Sequence, residues 1–440
     1  VTYLPWVNSD GSSFGNASLT ATRIDPRPNG SGLGTVNLTA WHDGMETADS
    51  SGELSDRFSA YTGMKLPAGT EYRTEDWWGC GGLSGWGWNT LSADHTMTAQ
   101  CNVFIKHRIA TFYLKSDAVP AGYESVPRVK ASGACGPGCD MWRYTIRSTD
   151  PAALQNFANW FSYYGNRHRS LVAGLTRSLV DISNMRIGYF RINQHGSYDN
   201  PNLTTGANGN ERVSMRDMAN ATQKSNLFDS ILANPSWGST YNRQAVYAAG
   251  RQFMRRDPLS SNANGAPVQL ACQKNAMMLF TDGYSNSDGP NVGGVDNAMG
   301  IPFEDDHDNT LADIATSFYV DDDSGTSPLN TGFPEGQVPV PDACPSDDPR
   351  VDCQKNLHVN FYGITLGGRG NLFNPEIDQE PYTDPAIYQN WPTRQNDNRS
   401  TIDDIWHGTV NTRGELVNAR TPADILAAMR RILSSVSAGS

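Results

Sequence analysis

The chain has 440 residues, a formal net charge of −12 and a sequence pI near 5.1. At ~150 residues per domain it is too long for one average domain, and its acidic balance excludes the basic face a nucleic-acid partner requires. No apolar run approaches the ~20 residues of a membrane helix, and 11 Trp, 17 Tyr and 15 Phe supply a burial drive that excludes a disordered chain.

Residues 1–150 read as irregular and β-rich. Gly, Pro, Asn, Asp and Ser recur every few positions, and short runs such as Thr35–Ala40 and the longer Asn102–Leu114 have strand character. The tryptophans Trp77, Trp78, Trp86 and Trp88 surround Gly79-Cys80-Gly81-Gly82. Indoles at this density either stack on sugar rings or a receptor surface, or form the small core of a disulfide-pinned module; the second reading is preferred. Near Asp150–Pro151 the pattern changes. Leu154, Phe157, Phe161, Tyr164, His168, Leu171, Leu175 and Leu179 keep steps of three and four, which predicts one long helix with Asp150 as N-cap and Pro151 at its first position.

Beyond that helix, strand and helix patterns alternate. Met185–Asn193 reads as a strand, Ser239–Arg255 as a helix, Ala276–Thr281 as a buried strand and Asn309–Val320 as a helix. Leu357–Leu366 reads as a strand and Pro422–Leu433 as a terminal helix. Alternation with strongly apolar strands predicts a doubly wound, mainly parallel α/β sheet, whose ligands bind at loops beyond the carboxyl ends of the strands. The polar segments 193–225 and 321–349 are too long for simple connections and read as surface insertions.

The seven cysteines suit an oxidising compartment: no CxxC pair exists, and their spacings fit disulfides. Cys135 and Cys139 bracket a Gly-Pro-Gly turn, and Cys80 and Cys101 flank a 20-residue stretch. Cys353 can pair with Cys344 across a short loop or with Cys272, which shares its Cys-Gln-Lys-Asn context; the short loop is favoured because it demands no strand register. Low Lys content, seven of 34 basic residues, agrees with a secreted surface.

Two positions carry the sharpest chemistry. Leu279-Phe280-Thr281-Asp282-Gly283 runs an apolar strand into a carboxylate at its carboxyl end, and Trp237-Gly238-Ser239-Thr240 sets a hydroxyl where a helix begins. A hard divalent cation takes such oxygens from separate loops, so Thr240 and Asp282 are candidate ligands; equally, Thr240 could be a helix cap and Asp282 a turn former. The acidic run Glu304–Asp308 lacks the order of an EF-hand and suits a helix N-terminus. His407 reads as a packing residue, and neither an HExxH nor a GxSxG motif is present.

Asn156-Phe157-Ala158-Asn159-Trp160-Phe161-Ser162-Tyr163-Tyr164 resembles the first-helix signature of the PilY/PilC family of type IV pilus tip proteins. Val1–Trp6, Asn309–Ala315 and Ile402–His407 resemble motifs of the same family. The resemblance implies a von Willebrand factor A-like domain at 151–440 with a β-rich insertion module at 1–150. Also implied is a metal-ion-dependent adhesion site, in which Thr240 and Asp282 would stand for the second- and third-loop ligands of a divalent cation, Mg or Ca. The first-loop Asp-x-Ser-x-Ser is not found; Asp10-Gly11-Ser12-Ser13-Phe14 is the nearest string and is out of register. The expectation is therefore that the first strand lies upstream of Val1 and that a C-terminal β-propeller follows Ser440. The function implied is a non-enzymatic adhesion and pilus-biogenesis module, outside the cell and without a membrane span. It would meet minor pilins and a surface receptor, with the four tryptophans as candidate receptor contacts. The alternatives are a secreted hydrolase with its site in the insertion, or a metal-free structural tip cap.

Overall fold

A computed structural model describes residues 3–20, 22–23, 35–36, 38, 55–106, 110–132, 138–165, 167–199, 211–233, 238–320 and 329–437. Among the residues singled out above, 1–2, 37, 39–40, 107–109, 135, 200–210, 237 and 321–328 lie outside these. The chain forms two compact units: Val1–Pro5 with Gly15–Asn166, and Trp6–Phe14 with Arg167–Ser440.

The first unit is built on antiparallel sheets, as its turn-rich sequence requires. One sheet orders the strands Ser55–Ala60, Cys101–Lys106, Glu71–Thr74 and Asn89–Thr90; a second places Met141–Thr145 between Arg128–Ala131 and Thr111–Leu114. The expected run Asn102–Leu114 is thus two strands belonging to different sheets. A disulfide joins Cys80 to Cys101 beside a small core of Leu66, Tyr72, Leu83, Met97 and Val103. This core contains none of the tryptophans. Trp77, Trp78 and Trp86 are 65%, 89% and 65% exposed, so the preferred reading of the indoles as a core is corrected. Smaller apolar side chains fill the interior, and the glycine-rich loop carries the indoles outward.

The helix Pro151–Tyr163 also belongs to this unit. Ala153, Leu154, Phe157 and Ala158 bury into a cluster with Tyr123, Val126, Tyr144 and Ile146. Pro151 opens it as expected, but Asp150 caps no amide within it. The Asp150 carboxylate instead accepts from Arg147 Nε (2.9 Å) and Ser125 Oγ (2.9 Å).

The single long helix expected from Leu154 to Leu179 is two helices, Pro151–Tyr163 and Arg167–Leu179. Tyr164 leaves helical geometry at φ −141°, and a Cβ on Gly165 would press on the Phe161 carbonyl. The three-and-four rhythm survives the break, which is why periodicity does not reveal it.

The second unit holds a three-stranded parallel sheet, Asn275–Thr281, Val359–Leu366 and Leu416–Ala419, in that order. Asn275 pairs with Val359 and Thr281 with Thr365, so both carboxyl ends finish level. Met277, Leu279, Val359 and Phe361 point into one large apolar cluster with side chains from the helices Asn242–Gln252, Leu311–Ser317 and Ser400–Asn411. The helix Pro422–Ser437 packs on the strands Val359–Leu366 and Leu416–Ala419 and on Arg167–Leu179. The mixed α/β class with a parallel sheet is therefore present. Met185–Asn193 is not a full strand: only Arg186–Ile187 pairs, antiparallel to Arg216–Asp217, and a 3-10 turn follows at Ile192–Gln194. The short partner offers nothing more to pair with. Cys344 bonds Cys353 across the short loop, as favoured, and Cys272 is an exposed free thiol.

Candidate functional site

Thr240 and Asp282 stand near the carboxyl end of the first parallel strand. The loop after that strand is tied to Thr240 through its backbone: Ser285 Oγ donates to the Thr240 carbonyl at 3.0 Å, and Thr240 N–H donates to Asn286 Oδ1 at 2.9 Å. Gly283, at φ +111°, makes the turn; a Cβ there would touch Ile402 side-chain atoms at 3.0 Å. The two predicted residues are thereby held in adjoining loops. Asp282, however, already faces a cation of the chain, since Arg167 Nη1 lies 2.8 Å from its Oδ2, with both side chains well exposed. Two oxygens, one of them paired with a guanidinium, do not complete a divalent-cation shell, and no metal chemistry is derived at this edge. Beside it, a polar recess of about 500 Å3 is lined by Arg243, Asp288, His307, Thr393 and Arg394. Its mixed charges suit a polar partner rather than an apolar one.

In the first unit, the tryptophan loop folds on itself. Cys80 and Leu83 exchange backbone hydrogen bonds of 3.1 and 2.9 Å, and a Cβ on Gly79 or Gly85 would overlap the facing backbone. That close approach sets Trp77 edge-to-face against Trp86 at 4.4 Å. Trp88 is half-buried, with the Arg73 guanidinium 5.6 Å over its ring. Trp77, Trp78 and Trp86 thus form an exposed aromatic surface held by a disulfide-braced loop.

A third cluster lies inside the second unit, where the loop 282–310 meets the helix Ser400–Asn411. Asp296, Asp305 and His407 each present one ligand-capable atom, all within 4.8 Å of one another. His407 Nε2 donates to the Phe303 carbonyl at 2.6 Å and lies 3.6 Å from Asp296 Oδ2, while Nδ1 lies 3.4 Å from Asp305 Oδ2. Asn411, one turn beyond His407, donates to Asp296 Oδ2 at 2.9 Å. Burial pushes the Asp296 carboxyl up to about 8, against the opposing pull of His407. For His407, burial acts downward, but the Asp305 hydrogen bond and the Asp296 charge more than reverse it, and its pKa is raised. Sequence reasoning weighed Asp305 and His407 singly and missed Asp296 and Asn411. The available signal was Asp403, Asp404, His407 and Asn411 recurring among Ile402, Ile405, Trp406 and Val410 on one helical pattern.

No protein-family profile matches the chain, and no solved structure matches it. It is 27% identical over 339 residues to the type IV pilus biogenesis factor PilY1 of Pseudomonas aeruginosa strain PAK, which covers 69% of this chain and 28% of that protein. Against the PilY1 of strain PAO1 it is 27% identical over 361 residues, 72% of this chain and 30% of that protein. These similarities support the resemblance of the chain to the PilY/PilC family. The chain spans under a third of the length of these curated relatives.

Two of the family-like motifs meet in the fold. Thr310 and Asp313 of Asn309–Ala315 cap their own helix reciprocally, at 3.0 and 2.9 Å. Asp404 of Ile402–His407 then accepts the Leu311 and Ala312 amides, both at 2.9 Å. The two motifs therefore act as one clamp between helices, with His407 beside it.

Proposed function

We propose that the chain is a non-enzymatic module of a type IV pilus factor, acting outside the cell in pilus biogenesis and surface adhesion. The similarity to PilY1 across more than two thirds of the chain carries this reading. No helix among the described residues is long and apolar enough to cross a membrane. Minor pilins are the proposed assembly partners, and a surface receptor the proposed adhesion partner.

Within this reading, Trp77, Trp78 and Trp86 are the receptor contacts. Exposed indoles offer large contact area at little cost in conformational entropy, and they dominate many recognition surfaces. The von Willebrand factor A-like organisation and a Mg or Ca ion at the Thr240–Asp282 edge are the finer parts of the proposal. An ion there requires Arg167 to release Asp282 and further oxygens to join.

The test is a strain lacking the gene for this chain, complemented with the gene carrying W77A, W78A and W86A together. All three side chains are exposed, so the variant folds normally and surface pili are retained, while adhesion falls. Unchanged adhesion with the variant produced at normal levels would remove the tryptophan surface from the account.

A further inference from the structure

We infer that Asp296, Asp305 and His407 form a buried structural site for a first-row divalent transition-metal ion of the zinc or manganese kind, separate from the Thr240–Asp282 edge. The observation behind this is an imbalance among buried carboxylates. Asp313 accepts from the Val295 and Asp296 amides with one oxygen and from Thr310 with the other. Asp403 accepts three amides, from Asn371, Leu372 and Phe373, and Asp404 accepts two. Both oxygens of each are satisfied, as burial demands. Asp296 differs: it is fully buried, and its Oδ1 has no hydrogen-bond partner. The Oδ1 of Asn411, whose amide already holds Asp296, is likewise buried and unpartnered. Unsatisfied acceptors gathered beside two carboxylates call for a positive centre.

With both carboxyls ionised, a protonated imidazole supplies only one positive charge against two; a divalent ion beside a neutral imidazole balances that state and takes the place of the proton that burial otherwise keeps on Asp296. The spacing fits. Ligands ~2.1 Å from one ion in tetrahedral arrangement stand about 3.4 Å apart; His407 Nδ1 lies 3.4 Å from Asp305 Oδ2, while Asp296 Oδ2, 3.6 Å from the neighbouring Nε2, must turn toward Nδ1 to join the shell. His407 Nε2–H is committed to the Phe303 carbonyl. This is the outer contact that orients a metal-bound imidazole and leaves Nδ1 free to ligate. The ligand types select the ion: an imidazole with carboxylates suits zinc or manganese, whereas calcium and magnesium prefer all-oxygen shells. Side-chain exposures of 0% for Asp296, 3% for His407 and 8% for Asp305 make the site closed, hence structural, with entry past Asp305. Its effect would be to fasten the loop 282–310 to the helix Ser400–Asn411.

The full chain, stripped with chelator and dialysed against zinc, manganese, cobalt, magnesium or calcium, is assayed for bound metal and melting temperature. The expected result is about one equivalent of transition metal with a raised melting temperature, since a ligand of the native state must stabilise it. Cobalt should add visible d–d absorption. D305N, at the rim, keeps the fold and loses both metal and absorption; N411A, acting through Asp296, weakens affinity about tenfold to a hundredfold. Failure of the folded chain to take up any of these metals, uptake of calcium or magnesium alone, or cobalt absorption unchanged in D305N would each overturn the inference. None of these outcomes bears on pilus assembly, so the site and the proposed function stand or fall separately.

Discussion

Replacing Asp404 by alanine should unlatch the two helices that carry the family motifs. Its fully buried carboxylate accepts the Leu311 and Ala312 amides at 2.9 Å each and lies 3.6 Å from Arg394 Nε. Both amides belong to the first turn of the helix Leu311–Ser317, which has no other acceptor for them within the helix. Each charge-assisted bond is worth about 1.5–3 kcal/mol. Removing the carboxylate takes both bonds and the counter-charge of Arg394, which keeps its hydrogen bonds to Ser285 and Ser287, and costs about 3–5 kcal/mol in all. Asparagine keeps one acceptor oxygen and should lose about half of that, roughly 2 kcal/mol. Because the chain has two units, a single unfolding curve need not be two-state. Hydrogen exchange of the 311–317 amides therefore reads the latch directly. A loss below about 1 kcal/mol in both variants would show that the carboxylate does not hold these helices.

Asp352 should confer acid sensitivity. Burial alone would raise its pKa, but the His358 ring and hydrogen bonds from Asn360 and Tyr319 outweigh that and hold it well below the usual carboxylate range. Its contribution is then complete above the unfolded value of about 3.9 and is lost as pH falls toward the lower folded value. D352N should lower stability at neutral pH by about 2 kcal/mol and flatten the acid limb of a melting-temperature profile; an unchanged limb would refute the assignment. Replacing Cys344 and Cys353 by serine opens a crosslink with a sequence separation of 9 and should cost about 2–3 kcal/mol in urea denaturation. Asp282→Ala should cost under about 1 kcal/mol, because its pair with Arg167 is exposed. A larger loss would mean that Asp282 has a structural partner beyond Arg167.

Much of the second unit was legible because its signals are local. The strands Asn275–Thr281 and Val359–Leu366 and the helices Asn242–Gln252 and Leu311–Ser317 each stand where an apolar run or period marked them, the first one residue longer than expected and the others trimmed at the ends. Leu416–Ala419 was missed because four residues give no period, and it becomes a strand only by pairing with Val359–Leu366. The tryptophan loop was misjudged for the opposite reason. Bulky side chains are assigned inward by habit, yet glycines at 79 and 85 let the backbone close on itself and leave no interior for the indoles. The buried triad was illegible as a set, since Asp296 and His407 lie 111 positions apart in sequence (407 − 296) and meet only through tertiary folding. Thr240 and Asp282 were placed in adjoining loops, as the strand-to-turn signal implied; the Arg167 that pairs with Asp282 could not be seen from local sequence.

The proposed role is tested most directly by deleting the gene for this chain in its own organism and counting surface type IV pili alongside adhesion to a surface. The account predicts that both fall and that both return on complementation with the wild-type gene. Normal piliation together with normal adhesion in the deletion strain would contradict it.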